Sequence, residues 1–145
     1  MMSNQTLEGS CLCGTIRYHV TPPFIQFYHC HCSQCRKSTG TAHGANLYAK
    51  RDNVSWVSGV ENIVRYDLMP AKRFASVFCK TCGSKIPYPR DKELMIIPAG
   101  SLDSELTIKP SLRVFWDSRA TWDNAEEALE KFSERPEQWP YYQHE

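Results

Sequence analysis

The seven cysteines of this chain stand in three close groups: Cys11 and Cys13, then Cys30, Cys32 and Cys35, then Cys79 and Cys82. Single buried cysteines are ordinary core material, but three tight groups are not. A Cys-x-x-Cys pair also serves as a redox dithiol, yet such motifs accompany a βαβ pattern, and none is visible here. Metal binding is the remaining chemistry. Zinc takes thiolates at about 2.3 Å in a tetrahedron. A pair separated by one or two residues supplies two ligands from a single turn. Gly14 after Cys13 and Gly83 after Cys82 let the chain curl so that backbone amides face the sulfurs. Two such knuckles brought together make a closed four-thiolate site from Cys11, Cys13, Cys79 and Cys82, and a closed site is the structural kind. Cys30, Cys32 and Cys35 remain. Three protein ligands with one open position are the catalytic pattern.

Spacing alone leaves other partitions open. Cys30 or Cys32 can join a knuckle, and His29 or His31 can complete the second site as a fourth ligand. Histidines alternating at a strand end are more often surface or supporting groups. His43 is a candidate proton shuttle, against the plainer reading of a satisfied histidine.

Charge is divided along the chain. The net charge of +1 by itself predicts no polyanionic partner, so no nucleic acid is expected. Residues 1–90 hold 11 Lys/Arg against 4 Asp/Glu, whereas residues 91–145 hold 6 against 12. Every cysteine lies in the basic part, where a positive field favours a small anionic substrate. Arg36 and Lys37 are the basic residues nearest the three-cysteine group. The plainer reading is that the two parts attract each other in the fold. No apolar run approaches the length of a membrane span, and Met1 to Gly9 is polar and lacks a signal pattern. A cytoplasmic protein with reduced thiols is the expectation.

The elements that must position these groups are short. At 145 residues, one domain over 1–145 is expected. Composition, with 41% hydrophobic and 23% charged residues, excludes wholesale disorder. Ile16, Tyr18 and Val20 alternate with Arg17 and His19 as in a strand. Further strands are expected over Phe24–Cys30, Ala45–Ala49, Val54–Val57, Asn62–Tyr66, Arg73–Phe78, Lys85–Tyr88, Leu94–Ile97 and Leu112–Trp116. Cys32 to Gly40 reads as a turn or short helix. Asp123, with Glu126 three residues on, resembles a capping box, opening a short helix that carries Ala125, Ala128, Leu129 and Phe132 on one face. Trp56, Trp116 and Trp122 read as core. Short strands between frequent turn signals indicate an all-β domain.

These motifs together resemble the glutathione-dependent formaldehyde-activating (GFA, or CENP-V/GFA) family. The resemblance covers roughly residues 8–135. It is carried by Gly9-Ser10-Cys11-Leu12-Cys13-Gly14, Cys30-His31-Cys32-Ser33-Gln34-Cys35-Arg36-Lys37 and Phe78-Cys79-Lys80-Thr81-Cys82-Gly83. Pro98-Ala99-Gly100-Ser101-Leu102-Asp103 and Ser118-Arg119 with Trp122 add to it. It implies an Mss4-like, zinc-bearing all-β fold. It also implies a structural zinc on Cys11, Cys13, Cys79 and Cys82 and a catalytic zinc on Cys30, Cys32 and Cys35. The activity implied is that of a zinc-dependent carbon–sulfur lyase, joining glutathione and formaldehyde as S-hydroxymethylglutathione. The rival expectation is a zinc-stabilised Mss4-like binding module without turnover.

Overall fold

Two glycines show how closely this chain is packed. A Cβ on Gly9 would lie 2.2 Å from the ring of Tyr18, and one on Gly59 would lie 2.3 Å from the Thr15 carbonyl oxygen. Gly59 also has a φ of +81°, which favours glycine. The computed structural model describes residues 5–71, 74–123 and 128–139. Its strands are β1 (Leu7–Ser10), β2 (Arg17–Val20), β3 (Phe24–Cys30), β4 (Gly44–Lys50), β5 (Val54–Ser58), β6 (Ile63–Asp67), β7 (Ala75–Cys79), β8 (Tyr88–Pro89), β9 (Leu94–Pro98) and β10 (Leu112–Val114). One α-helix, α1 (Ser33–Thr39), occurs among the described residues. The all-β expectation holds.

The strands form three sheets. A three-stranded sheet has the order β1-β2-β5, a five-stranded sheet the order β10-β3-β4-β9-β8, and β6 pairs with β7. All pairings are antiparallel except β10 with β3. Tyr18, Val20, Phe27, Leu47, Ala49 and Ile97 form one buried cluster, between the first two sheets. Cys11, Ile16, Ala75, Val77, Cys79 and Ile86 form a second, and Trp56 packs against both.

The alternation of the central strands sorts residues between core and site. Phe27, Leu47 and Ile97 enter the core. Their neighbours Tyr28, Asn46, Tyr48 and Ile96 instead line a cavity on the sheet's other face. Register aligns them across the strands: Tyr28 opposite Asn46, Tyr48 opposite Ile96, and Ile96 opposite Tyr88.

Several expectations are corrected. Of the expected Lys85–Tyr88 strand only Tyr88 is in a regular strand, which continues to Pro89; Lys85 makes an isolated bridge to Phe78, and Pro87 has no N–H to extend a ladder. The last strand stops at Val114, because Phe115 takes a left-handed φ of 56°. Trp116 is half-exposed and Trp122 is 69% exposed, so neither is core. The proposed helix after Asp123 begins in residues 124–127, outside the described residues. Residues 128–132 are irregular, with Leu129 and Phe132 exposed, so no apolar face holds a helix there.

Candidate metal centres and substrate cavity

The two knuckles have the same construction. The Gly14 amide donates to the Cys11 carbonyl at 3.0 Å, and the Gly83 amide to the Cys79 carbonyl at 2.8 Å. Both glycines have positive φ, 78° and 74°. The four sulfurs of Cys11, Cys13, Cys79 and Cys82 lie within 4.8 Å of one another. Two separations are 3.6 Å (Cys11–Cys13) and 3.9 Å (Cys13–Cys79). A tetrahedron of 2.3 Å zinc–sulfur bonds has edges of about 3.8 Å, so the donor set fits that ion in both softness and spacing.

Polar groups around this site favour thiolate. The Ile16 amide donates to Cys11 Sγ at 3.3 Å. Asn62 Nδ2 donates to Cys79 Sγ at 3.2 Å and to Thr81 Oγ1 at 2.9 Å. The Ser84 hydroxyl beside Cys82 holds its thiol down at about 5. Backbone N–H donation from Cys82 lowers Cys79, whereas burial pushes Cys11 up.

The second group forms where β3 ends and α1 begins. Cys30 is the last residue of β3. Cys32 caps α1, its sulfur accepting the Cys35 amide at 3.3 Å. The i, i+3 spacing turns Cys35 back beside Cys32, and Gly40 ends the helix in the left-handed conformation. The sulfurs of Cys30, Cys32 and Cys35 lie within 4.8 Å of one another. A hydrogen bond from Cys35 draws Cys30 down to about 6, and the same bond pushes Cys35 up. This set of three soft donors also suits zinc.

The cavity beside it has a volume of about 600 Å³. Cys30, Cys32 and Cys35 share its wall with Tyr28, Asn46, Tyr48, Tyr88 and Arg90. Burial pushes the Tyr28 and Tyr88 phenols well above the usual range, so both remain donors. Arg90 lies 5.0 Å over the Tyr48 ring. Among the described residues it is the basic group on this wall; Arg36 and Lys37 follow Cys35 in α1 but do not line the cavity. None of these tyrosines, nor Arg90, Asn46 or Asn62, stands out by local spacing. The alternation of Tyr28 with Cys30, and of Asn46 with Tyr48, is the signal available for three of them.

The histidines take supporting positions. Neither His29 nor His31 joins a ligand group among the described residues. His31 is fully buried, with Arg113 3.2 Å from Nε2 and Asp123 3.6 Å from Nδ1. His29 stacks on His43 at 3.9 Å between ring centroids. Burial lowers His29 to about 4, and it also lowers His31.

Similarity to known proteins follows the same residues. A curated protein of Halomonas elongata, named "Putative glutathione-dependent formaldehyde-activating enzyme", is 32% identical over 127 residues, covering 80% of this chain and 78% of its own. A crystal structure of a Rhodobacter sphaeroides protein superimposes with a TM-score of 0.56 over 70% of this chain and 92% of the other, at 23% identity, which supports the fold alone. Residues 6–118 match the family model described as glutathione-dependent formaldehyde-activating enzyme. That span takes in all three cysteine groups, and the chain belongs to the glutathione-dependent formaldehyde-activating enzyme family.

Proposed function

We propose that this chain is a zinc-dependent carbon–sulfur lyase that forms and cleaves S-hydroxymethylglutathione. Cys11, Cys13, Cys79 and Cys82 hold a structural zinc, and Cys30, Cys32 and Cys35 hold a catalytic one. The observation that carries the reading is the three-cysteine group on the wall of a cavity of about 600 Å³. A binding module stabilised by closed metal sites needs no such cavity. When bound there, zinc lowers the pKa of a substrate thiol and can polarise a carbonyl.

The reaction joins the thiol sulfur to the aldehyde carbon, and the sulfur's proton ends on the aldehyde oxygen. Each wall residue has a part in this. Arg90 attracts a carboxylate of the anionic tripeptide; Arg36 and Lys37, nearest the three-cysteine group in sequence, do not line the cavity. Tyr28 and Tyr88 keep their protons and donate hydrogen bonds to the oxygen that gains charge. Cys30, Cys32 and Cys35 keep one face of the cavity soft and able to accept sulfur. A single domain over 1–145 and a cytoplasmic location, where glutathione is abundant, complete the proposal.

The test is exchange spectroscopy by NMR between formaldehyde and its glutathione adduct. Exchange faster with the protein than without it supports the assignment. An unchanged rate removes formaldehyde as the substrate.

A further inference from the structure

A second, smaller cavity of about 80 Å³ adjoins the large one. The two share Cys35, Asn46, Phe74 and Tyr88 as wall residues. One water needs about 10–15 Å³ of such cavity space, so the smaller takes a molecule of a few heavy atoms. A tripeptide does not fit in it. Among its described lining residues, Lys85 carries the one amine, and Ser76 lies beside it.

Lys85 is held from several directions. Its backbone bridges to Phe78 at the end of β7. Its Nζ donates to Ser76 Oγ and sits 5.5 Å from the centroid of the Phe78 ring. Among the described residues no carboxylate lies within ion-pair distance of it. A lysine without a counter-ion in partly apolar surroundings loses ammonium character, and burial does lower the Lys85 pKa. An amine so placed is a nucleophile toward carbonyl carbon. The plainer role, a lysine stem covering apolar surface, explains neither the Ser76 hydrogen bond nor the shared cavity.

We propose that Lys85 is a covalent binding residue for small aldehydes, holding the carbonyl substrate in the small cavity beside Cys35. The inference deepens the proposed function, because it takes an aldehyde to be a substrate of the same site. The Nζ lone pair attacks the carbonyl carbon, a nitrogen–carbon bond forms, and the C=O π pair moves to oxygen. A proton passes from nitrogen to that oxygen, giving a carbinolamine. Loss of the new hydroxyl as water gives the imine, and reversal returns the free aldehyde next to the larger cavity. Ser76 positions Nζ and does not react.

The experiment treats the full-length wild-type protein with sub-stoichiometric, isotopically labelled formaldehyde and cyanoborohydride. Imine reduction leaves a methyl group on nitrogen, which chymotryptic mapping by mass spectrometry assigns to each lysine. Lys85 should label severalfold faster than exposed Lys50, Lys92 and Lys109, because the small cavity holds the aldehyde beside its amine. Acetaldehyde should compete and a bulky aromatic aldehyde should not. Labelling at Lys85 no faster than at the exposed lysines overturns the inference, as does equal competition by the bulky aldehyde. Adduct exchange by NMR, run on the same preparation, separates the two claims. Catalysed exchange with Lys85 unlabelled removes this inference alone. Selective labelling without catalysed exchange upholds the aldehyde site and removes the proposed lyase reaction.

Discussion

Replacing Cys79 or Cys35 by serine should damage the protein in different ways. The four-sulfur group joins segments far apart in the chain, Cys13 and Cys79 being 66 positions apart. A cross-link closing a loop of that length restricts the unfolded chain by about 4 kcal/mol, using the relation derived for disulfides. The three-cysteine group spans about five residues, for which the same relation gives about 2 kcal/mol. Cys79 is also fully buried in the second core cluster, beside Ile16, Val77 and Ile86. Serine there keeps the Asn62 donor but loses the soft sulfur ligand. Cys35 is only partly buried. Net stabilities are about 5–15 kcal/mol, so Cys79→Ser should unfold or aggregate much of the protein, and Cys35→Ser should leave a folded domain without turnover. Urea titration with added zinc, followed by tryptophan fluorescence, reads the difference, with Trp56 against both clusters as reporter. Equal destabilisation, or the greater loss in Cys35→Ser, would refute the assignment of structural and catalytic roles.

Other perturbations follow from single contacts. Gly9→Ala forces a methyl group into the Tyr18 ring, which Ser101 pins through a 2.6 Å hydrogen bond; the cost should be about 1–3 kcal/mol, seen as a fall of several degrees in Tm. Asn62→Ala removes the donor to Cys79 Sγ and should lower stability by about 1.5–3 kcal/mol, as for a bond to a charged partner; denaturant midpoints with and without zinc check it. Arg90→Gln should raise KM for the glutathione adduct about tenfold, equivalent to about 1.4 kcal/mol, with little change in kcat; equal loss in kcat would place Arg90 in the chemical step. His29 is held near 4 in the fold by burial, against about 6.5 unfolded. The unfolded chain therefore binds the extra proton first. This stabilising contribution is present above about 6.5 and lost as pH falls toward 4. His29→Gln should flatten the stability profile in that window, measured by urea titration at several pH values.

The cysteine groups were legible because each supplies its ligands from one turn, and the glycines after Cys13 and Cys82 marked two of those turns. Strand positions followed from alternation, as for Tyr18 and Val20. The cavity was not legible, because its walls come from long-range register: Tyr28 meets Asn46, and Tyr88 reaches Tyr48 through Ile96. Nor was the part played by Asn62, whose amide reaches Cys79 across 17 positions. Trp56 does pack against the core, but Trp116 and Trp122 were misread because hydrophobic type does not decide burial. Trp116 instead stacks its ring under the Arg113 and Arg119 guanidiniums, at 5.5 and 4.5 Å, on the molecule's surface. The capping pattern at Asp123 leads into residues 124–127, outside the described residues; beyond them residues 128–132 form no helix, and Leu129 and Phe132 are exposed.

The central claim is that Cys30, Cys32 and Cys35 hold a metal with a position open to a substrate thiol. Cobalt substitution tests it most directly, since a new thiolate ligand changes the sulfur-to-cobalt charge-transfer spectrum. The account predicts that glutathione changes the spectrum of the wild-type protein, that S-methylglutathione does not, and that the response is lost in Cys35→Ser. A spectrum indifferent to glutathione, or a response that persists without Cys35, would contradict it.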